Sequence, residues 1–600
     1  MLSYCSKTDV MGVPRRRCKS DNERRSEGAT FQVLAAGEYG MSFEPPALLR
    51  TARASIGRSL LMADYIIVGG GSAGCVLAAR LSEDANCSVL LLEAGPRDIH
   101  PLIHMPAGFT GLNGRLTWGY KTAPLKHANS RSIDLPVGRV LGGSSSVNAM
   151  IFCRGSAHDY DSWATSHGCA GWSYREVLPY FRRCEANETF ADEFHGNDGP
   201  VGVSHVAPHP LTLAFVRSAQ QAGIPYNADF NGATQEGCGL YQATIRNGRR
   251  CSTAVAYLRM ARQRKNLQVR TGVTVHNVLV KNGRAIGVNY LARGRVVSAY
   301  AEREVILAAG SIGSPKLLLL SGIGPADSLR KFNIPVVHDL AGVGQNLQDH
   351  GRVEALYQLN GVHSLDKYKR PQWAIMAAIE YLLFNRGPIT SNFADGGAFW
   401  WGDRQEAEPD LQFHFIPAGA SVPYRNGCSI NCYNLRPRSR GSITLQSADP
   451  NVAPLIDSNH FEDPYDLDRT VEGVKLCQTI MAQPAIARYL LREFAPGSVV
   501  RTKEQYSSYV RNTVQTGYHP VGTCKMGIDE SAVVGPDLRL RGIDALRVCD
   551  ASIMPRLVSS NTNAPTIMIG EKAADLIRGI ALQDSAHENS LAEVASRAVG

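Results

Sequence analysis

Three glycines and one glutamate are spaced as in a dinucleotide-binding site. Gly69, Gly71 and Gly74 follow the apolar run Tyr65–Val68, and Glu93 comes 19 residues after Gly74. Glycines at this spacing let the chain turn sharply, let the backbone approach a pyrophosphate and let the next helix pack closely on the sheet. An acid at this distance can bind the hydroxyls of an unphosphorylated ribose, as in FAD or NAD. The loop by itself does not choose between these two.

A strand, a helix and a second strand must position these residues. Tyr65–Val68 predicts a buried parallel strand, Ala73–Leu81 a helix and Leu90–Leu92 a second strand with the acid at its end. The free N–H groups and the positive end of the helix would face the phosphates. Ser72 and Ala73 lie at that end, so they join the predicted cofactor contacts.

A second segment is rich in hydrogen-bond donors. Gly142 and Gly143 precede three serines, Ser144 to Ser146, and apolar residues flank them on both sides. Closely spaced N–H and hydroxyl donors suit an anionic or heteroaromatic ligand. An ordinary serine-rich turn is the alternative, but the apolar flanks favour an internal position.

Three segments resemble the signatures of the glucose–methanol–choline (GMC) family of FAD-dependent oxidoreductases. They are Gly138–Met150, Gly310–Pro325 and Tyr518–Gly527, and they occur in order within a similarity that runs from about Asp64 to Ile577. Within the family, the chain looks most similar to bacterial alcohol and choline dehydrogenases. The resemblance therefore implies bound FAD and oxidation of a CH–OH group.

The resemblance also implies an α/β fold, α+β overall, with two domains. A Rossmann-like FAD-binding domain would be assembled from discontinuous segments, 62–160, 230–350 and 512–580. A substrate-binding domain with an antiparallel sheet would comprise 161–229 and 351–511.

Two catalytic residues follow from the resemblance. Alcohol oxidation by a flavin moves a hydride to flavin N5 and the hydroxyl proton to a base. His519 occupies the position of the base, and Asn563 the position of the group that holds the substrate oxygen. An amide does not titrate near neutrality, so the pH dependence should report mainly His519. Capping of the following helix is the alternative role for Asn563.

Further FAD contacts are implied by the matching positions. Val275 would touch the adenine through its backbone, and the helix that starts at Ala564 would point at the flavin N1 and C2 carbonyl. Val147 stands where some members carry a histidine bonded to the flavin, so the FAD should be non-covalent. The complete set after the glycine loop and Glu93 is Gly142, Gly143, Ser144, Asn148, Val275, Asp550, Ala551 and Pro565.

Two residues bear on the substrate. Asp395 falls where choline-oxidising relatives have a glutamate that pairs with the trimethylammonium group, but its side chain is one methylene shorter. His414 falls where a relative has a histidine near the substrate. The alternatives are a turn cap for Asp395 and a satisfied sheet residue for His414.

The resulting prediction is an FAD-dependent dehydrogenase that oxidises a primary alcohol, with an aliphatic one favoured, to an aldehyde. Choline dehydrogenase is the alternative activity, and oxidase activity stays open. A non-catalytic flavin-binding protein would predict a missing base or a damaged signature, and neither is seen. The electron acceptor is unknown, with a quinone as a candidate.

Composition narrows the class of protein. The 600 residues suit two domains, and no apolar run reaches the ~18 residues that a membrane span needs. The net charge is +9, but +4 of it comes from residues 1–61 (ten Lys and Arg, six Asp and Glu), so no nucleic-acid partner is expected. The 14 cysteines are scattered and match no metal site. A cytoplasmic protein is expected, with peripheral contact at the inner face of a membrane as an option.

Both ends of the chain lack the pattern of the middle. Residues 1–61 have no clear periodicity, and a disordered or spurious extension is favoured over a targeting segment because of their six acids. Residues 581–600 are interpreted as a C-terminal tail.

Overall fold

The computed structural model describes residues 61–112, 114, 116–419 and 426–580. The predicted N-terminal extension, apart from Leu61, and the predicted C-terminal tail lie outside these residues.

The described strands, in chain order, are β1 (Leu61–Val68), β2 (Val89–Glu93), β3 (Tyr120–Lys121), β4 (Asp134–Leu135), β5 (Ile151–Phe152), β6 (Glu185–Asn187), β7 (Val201–His205), β8 (Gly237–Leu240), β9 (Gln242–Ala243), β10 (Ile245–Arg246), β11 (Arg249–Arg250), β12 (Leu267–Thr271) and β13 (Thr274–Lys281). They continue with β14 (Arg284–Ala292), β15 (Arg295–Leu307), β16 (Ile323–Gly324), β17 (His338–Asp339), β18 (Gly351–Leu359), β19 (Gly396–Trp400), β20 (Leu411–Ile416), β21 (Gly427–Asn434), β22 (Ser442–Thr444), β23 (Leu455–Asp457), β24 (Leu490–Ala495), β25 (Gln515–Thr516) and β26 (Leu546–Val548).

The described α-helices are α1 (Ser72–Leu81), α2 (Pro101–His104), α3 (Ala157–Ser166), α4 (Tyr174–Cys184), α5 (Pro210–Gln221), α6 (Arg259–Ala261), α7 (Gly310–Leu320), α8 (Ala326–Arg330), α9 (Pro371–Phe384), α10 (Pro464–Met481), α11 (Pro484–Ala487), α12 (Lys503–Thr513) and α13 (Asn563–Arg578). None of the helices in the described part of the chain is long and apolar enough to cross a bilayer.

The first sheet carries the glycine loop. Its main path runs β12-β2-β1-β15-β14-β13, with β26 also paired to β15. β1 is parallel to both β2 and β15, and the predicted strand–turn–helix–strand unit is confirmed. Tyr65–Val68 of β1 and all of β2 are buried because helices such as α1 cover this central part of the sheet.

The second large sheet is antiparallel and runs β24-β18-β21-β20-β19-β8, with β25 paired to β18. Because side chains alternate along a strand, Phe413 and Phe415 of β20 face one side and Gln412 and His414 the other. The aromatic side packs against α5 and α10, and the Phe215 and Phe415 rings are stacked at 4.9 Å. These helices do not cover the polar side of the sheet, which is therefore the side on which a binding site is expected.

The structure confirms the mixed α/β fold class. The second sheet also takes β8 and β25 from segments that the sequence assigns to the FAD-binding domain. The exact division into 62–160, 230–350 and 512–580 against 161–229 and 351–511 stays a prediction.

Candidate active site

The glycine loop joins β1 to α1 and leaves the start of the helix open. Gly71 precedes α1, no side chain caps this end, and the first turn contains no acid. The Ser72 hydroxyl donates to Asn563 Oδ1 at 2.8 Å. Since Asn563 is the first residue of α13, the hydrogen bond brings the N-termini of two helices together.

The second donor-rich segment packs directly on the glycine loop. Gly142 N donates to Gly70 O at 2.7 Å, and a Cβ on Gly143 would lie only 2.7 Å from Gly71 Cα. Glycine at 143 is thus required by the close approach of the two backbones. Their contact places Ser144 and its neighbours at the mouth of the predicted cofactor site.

Ser144 and Asn148 are held by different partners. The Ser144 hydroxyl accepts from Gly138 N at 3.2 Å, and Asn148 Oδ1 accepts from Arg250 Nη1 at 2.7 Å. Arg250 is almost fully buried, and burial lowers the pKa of its guanidinium to about 9. A buried cation therefore fixes the Asn148 amide.

Glu93 ties the end of β2 to the loop. Its Oε2 accepts from Gly70 N at 2.8 Å and its Oε1 from Gly95 N at 2.7 Å, and burial raises the pKa of this carboxyl. Val273 N donates to the Glu93 carbonyl at 3.0 Å, so β13, with the buried Val275, begins beside the acid.

Asp550 and Ala551 together connect the second and third signature segments. Its Oδ2 accepts from Gly310 N at 2.8 Å and from the Ser314 hydroxyl at 2.6 Å. Gly522 N donates to the carbonyl of Ala551 at 3.3 Å. Pro565 is the third residue of α13 and is buried.

These residues fit a dinucleotide with a diphosphate. Neither α1 nor α13 has a side-chain cap or an acid in its first turn, so both helices direct unneutralised positive ends to one place. A Cβ built on Gly71 would meet nothing closer than 4.0 Å, so the protein itself leaves space beside this backbone. Contact of Gly69, Ser72, Ala73 and Gly74 with the cofactor stays a prediction.

His519 lies at the end of the second sheet. β25 pairs with β18, with Gly351 opposite Thr516, and the chain then turns to bury His519, of which 7% is exposed. His519 N donates to Asp349 Oδ1 at 2.9 Å. The carboxylate therefore fixes the backbone of the histidine.

A chain of hydrogen bonds sets the tautomer of His519. The Leu435 carbonyl can only accept, so His350 Nε2, 3.1 Å away, donates to it. His350 Nδ1 is then an acceptor, and His519 Nδ1, at 2.9 Å, must donate to it. His519 Nε2 is left unprotonated, with Asn561 Nδ2 donating to it at 3.1 Å. This arrangement presents the basic nitrogen of His519 next to an amide donor.

The amide on His519 therefore belongs to Asn561, two residues before the predicted partner. Asn563 contacts Ser72, and its catalytic role stays a prediction. Sequence reasoning missed both Asn561 and His350. His350 ends the polar run Gln348–His350, which follows a glycine-rich turn, and this clustering was the available signal.

Burial determines the charge of this group of residues. It lowers the pKa of His519 to about 3 and that of His350 well below its usual range, so both imidazoles are neutral at neutral pH. Burial raises the pKa of Asp349 to about 7, although Thr516 and the N–H groups of His519 and His350 oppose the shift.

The polar face of the second sheet lies near His519. The Tyr433 ring is 6.3 Å from the His519 ring and 4.5 Å from the His414 ring. Gln412 Oε1, His414 Nε2 and both amide atoms of Asn431 are buried without a hydrogen-bond partner in the described structure. Buried polar atoms of this kind are expected to bind a ligand or water.

The Asp395 carboxyl is hydrogen-bonded at the start of α5. Its Oδ2 accepts from His209 N at 2.7 Å and its Oδ1 from the Thr212 hydroxyl at 2.9 Å, at the N-terminus of α5. Burial raises the pKa of Asp395. The contacts suit a helix cap, and the predicted contact with a substrate cation stays a prediction.

Asp349 provides a test of this electrostatic arrangement. Its pKa is higher in the folded protein than in the unfolded chain, so its contribution to stability is present at low pH and is lost as pH rises from about 4 through about 7. The free energy of unfolding of the wild type minus that of Asp349→Asn should therefore decrease over this range. Urea unfolding at several pH values measures the difference. His350 and His519 shift stability in the opposite direction, but equally in both proteins; a difference that rises or stays flat would contradict the assignment.

Comparisons with known proteins identify the family. The N-terminal and C-terminal GMC oxidoreductase families match residues 63–352 and 437–570. An alcohol dehydrogenase [acceptor] of Pseudomonas putida is 42% identical over 528 residues, covering 86% of this chain and 96% of the relative. An oxygen-dependent choline dehydrogenase of Paraburkholderia xenovorans is 44% identical over 530 residues, covering 86% and 94%.

The fold is likewise similar to that of a solved enzyme. The crystal structure of pyridoxine 4-oxidase from Mesorbium loti superposes with a TM-score of 0.78 and 31% sequence identity, covering 85% of this chain and 98% of that one. Both the sequence signatures and the architecture thus extend over most of the molecule. The chain belongs to the GMC oxidoreductases, a family of FAD flavoproteins, and is an oxidoreductase acting on CH–OH donors.

Proposed function

We propose that the chain oxidises a primary alcohol, with an aliphatic one favoured, to an aldehyde. The observation that carries the proposal is the unprotonated Nε2 of the buried His519, with Asn561 Nδ2 3.1 Å away. Bound FAD supplies the hydride acceptor. A substrate hydroxyl that lies beside both groups and replaces the hydrogen bond between them would lose its proton to Nε2 while the amide donates to the oxygen.

His350 supports the proton transfer in this proposal. Protonation at Nε2 makes His519 a cation in a buried place, where an isolated charge is costly. His350 Nδ1, 2.9 Å from His519 Nδ1, accepts a hydrogen bond from that cation, and the Leu435 carbonyl holds His350 in the required tautomer. His350 is thus a positioning residue for the base.

Residues further from His519 support an uncharged alcohol. Arg352 is largely buried and pairs with Glu354 at 3.3 Å. The pKa of His414 is lowered first by the burial of its ring, then by His519 and then by Arg352. Glu354 offsets part of the charge of Arg352, and the positive charge that remains felt at His414 disfavours a cationic substrate. Both oxygens of Asp395 already accept hydrogen bonds.

Choline dehydrogenase is the second candidate. Asp395 is buried, and its carbonyl accepts from Tyr241 N at 3.1 Å; the Tyr241 ring contacts the His414 ring at 5.2 Å. The acid therefore lies directly before β19, next to the polar face. The similarity to a choline dehydrogenase supports the same candidate.

Further parts of the proposal concern the cofactor and the acceptor. The FAD would be non-covalent because Val147 offers no nucleophile, and Asn563 would hold the substrate oxygen together with Asn561. The remaining predicted contacts, from Gly69 to Pro565, would bind FAD. A quinone is proposed as the electron acceptor, with peripheral contact at the inner face of a membrane.

Anaerobic reduction of the bound flavin distinguishes the two substrates. The full chain, loaded with FAD, is mixed with a straight-chain primary alcohol or with choline, and the loss of flavin absorbance is followed. We expect the alcohol to reduce the flavin at least ten times faster than choline does. The charge of Arg352 disfavours choline, and both oxygens of Asp395 already accept hydrogen bonds at the start of α5. Reduction by choline alone would contradict the proposal.

Asp395→Asn serves as the matched control. If Asp395 caps α5, the substitution should change the rates with both substrates by a similar, small factor. A selective loss of choline reduction would instead assign Asp395 to the substrate cation.

A further inference from the structure

Helix α9 exposes its largest apolar side chains. The apolar residues with more than half of their surface exposed are Ile375 (60%), Met376 (59%), Ile379 (52%), Leu382 (72%), Leu383 (68%) and Phe384 (59%). Single exposed apolar residues are common on soluble proteins, but a contiguous group of this size marks an interaction site.

Five of the exposed residues form one stripe. At about 100° per residue, Ile375, Met376, Ile379, Leu382 and Leu383 fall within an arc of about 120°, whereas Phe384, the last residue of α9, lies outside it. The small Ala377 and the Tyr381 ring are buried on the opposite side of α9. The helix therefore attaches to the protein through its weaker apolar face and directs its stronger one to solvent.

Basic residues surround the two ends of this stripe. Lys367, Lys369 and Arg370 precede α9, and Arg386 follows it. The two acids of residues 365–386 are paired, Asp366 with Lys369 at 2.6 Å and Glu380 with Arg386 at 3.5 Å. Four bases and two acids leave a net charge of +2, carried by Lys367 and Arg370.

Aromatic residues accompany the bases. Lys367 Nζ lies 5.3 Å from the Trp373 ring, and the Arg386 guanidinium lies 4.8 Å from the Phe384 ring. Amphipathic aromatic rings and long basic side chains at the edge of an apolar surface are typical of a protein that rests on lipid headgroups.

We propose that α9 docks on the surface of an anionic lipid bilayer, with its apolar stripe in the acyl boundary and its basic ends on the headgroups. With 14 residues, α9 is about 21 Å long, too short to cross a hydrocarbon core of about 30 Å. A second copy of the chain is disfavoured as the occupant, because a symmetric contact would face like charges against each other.

The location of α9 connects docking with the site. Tyr381 Oη donates to the His104 carbonyl at 3.5 Å, and the turn Pro388–Thr390 after α9 packs on the turn Pro106–Gly111. Asn392 Nδ2 donates to the carbonyl of Ala149, next to Asn148, at 3.0 Å. Docking would thus bring lipid close to the donor-rich segment. An apolar alcohol dissolved in the bilayer could enter there. This consequence rests on the proposed oxidation of an alcohol, whereas the docking is argued from α9 alone.

Vesicle flotation tests the docking without any substrate. The full FAD-loaded chain is mixed with vesicles of phosphatidylcholine containing phosphatidylglycerol, and the fraction that floats gives the partition coefficient. We expect binding that weakens with added salt and with pure phosphatidylcholine. The triple substitution Ile379→Gln, Leu382→Gln, Leu383→Gln should reduce the partition coefficient at least tenfold, since the stripe loses most of its apolar area.

A matched control replaces exposed apolar residues away from α9. Val296→Gln with Val499→Gln, at positions 57% and 78% exposed, should float like the wild type. All proteins should reduce their flavin equally with a short, water-soluble alcohol in the absence of vesicles, so a failure of the proposed function is recognised separately.

Two results would overturn the docking. The first is a full chain that does not float with anionic vesicles. The second is equal flotation of the wild type and the triple variant. If the wild type instead sediments as a dimer, and the triple variant as a monomer, the stripe is an interface between two copies.

Discussion

Replacing His519 with alanine is expected to lower kcat by about 10²- to 10⁴-fold, the usual contribution of a general base, without loss of FAD. The base is available at neutral pH because burial lowers the pKa of His519 and keeps its Nε2 unprotonated. His350 fixes its tautomer and Asn561 marks the direction of its free lone pair. Alanine removes the proton acceptor, whereas the predicted FAD contacts lie on the glycine loop and on the starts of α1 and α13. The ratio of flavin to protein absorbance and the single-turnover rate of flavin reduction measure the two effects separately.

A second buried histidine controls for the loss of an imidazole as such. His460 is 5% exposed, burial lowers its pKa to about 4, and its ring lies beside Phe461. His460→Ala should keep its rate of flavin reduction within a few-fold of the wild type. If His519→Ala also reduces its flavin at close to the wild-type rate, His519 is not the base.

Replacing Gly71 with alanine is expected to reduce the affinity for FAD at least tenfold and leave the apoprotein folded. The backbone at Gly71 has φ −83° and ψ −159°, which an alanine adopts without strain, and the nearest atoms to the added Cβ are 4.0 Å away. The protein alone therefore accommodates the methyl group. A pyrophosphate that approaches this backbone does not, because the methyl group occupies the space needed for close contact. Titration of apoprotein with FAD, followed by fluorescence, measures the affinity, and urea unfolding of the apoprotein tests the fold.

Gly361 supplies the matched control. A Cβ there would meet nothing within 4 Å, but φ is +70°, so alanine is strained. Gly361→Ala should lose about 1 kcal/mol of stability and bind FAD normally. The opposite pattern for Gly71→Ala, lower stability with unchanged FAD affinity, would exclude Gly71 from the pyrophosphate site.

Local sequence determined the family and the loop that is predicted to bind the cofactor. The glycine loop needs residues of special backbone freedom at fixed, short spacing, and Glu93 must end the adjacent strand, so the pattern survives in the sequence. The signature segments are likewise continuous stretches, and the helices at α1 and α13 begin where their motifs do. Such features are local, because hydrogen bonds and turns between near neighbours define them.

Only the tertiary structure decided which side chains meet His519. His350 is 169 residues from it and Asn561 is 42, so no spacing rule connects them. Pairing of β25 with β18 brings His350 beside the base, and the start of α13 at Asn563 directs Asn563 to Ser72 and leaves Asn561 for His519. The apolar stripe of α9 is a similar case. Its residues are as hydrophobic as those of a core helix, and the sequence cannot tell which face of a helix the rest of the protein covers, because burial depends on contacts between distant segments.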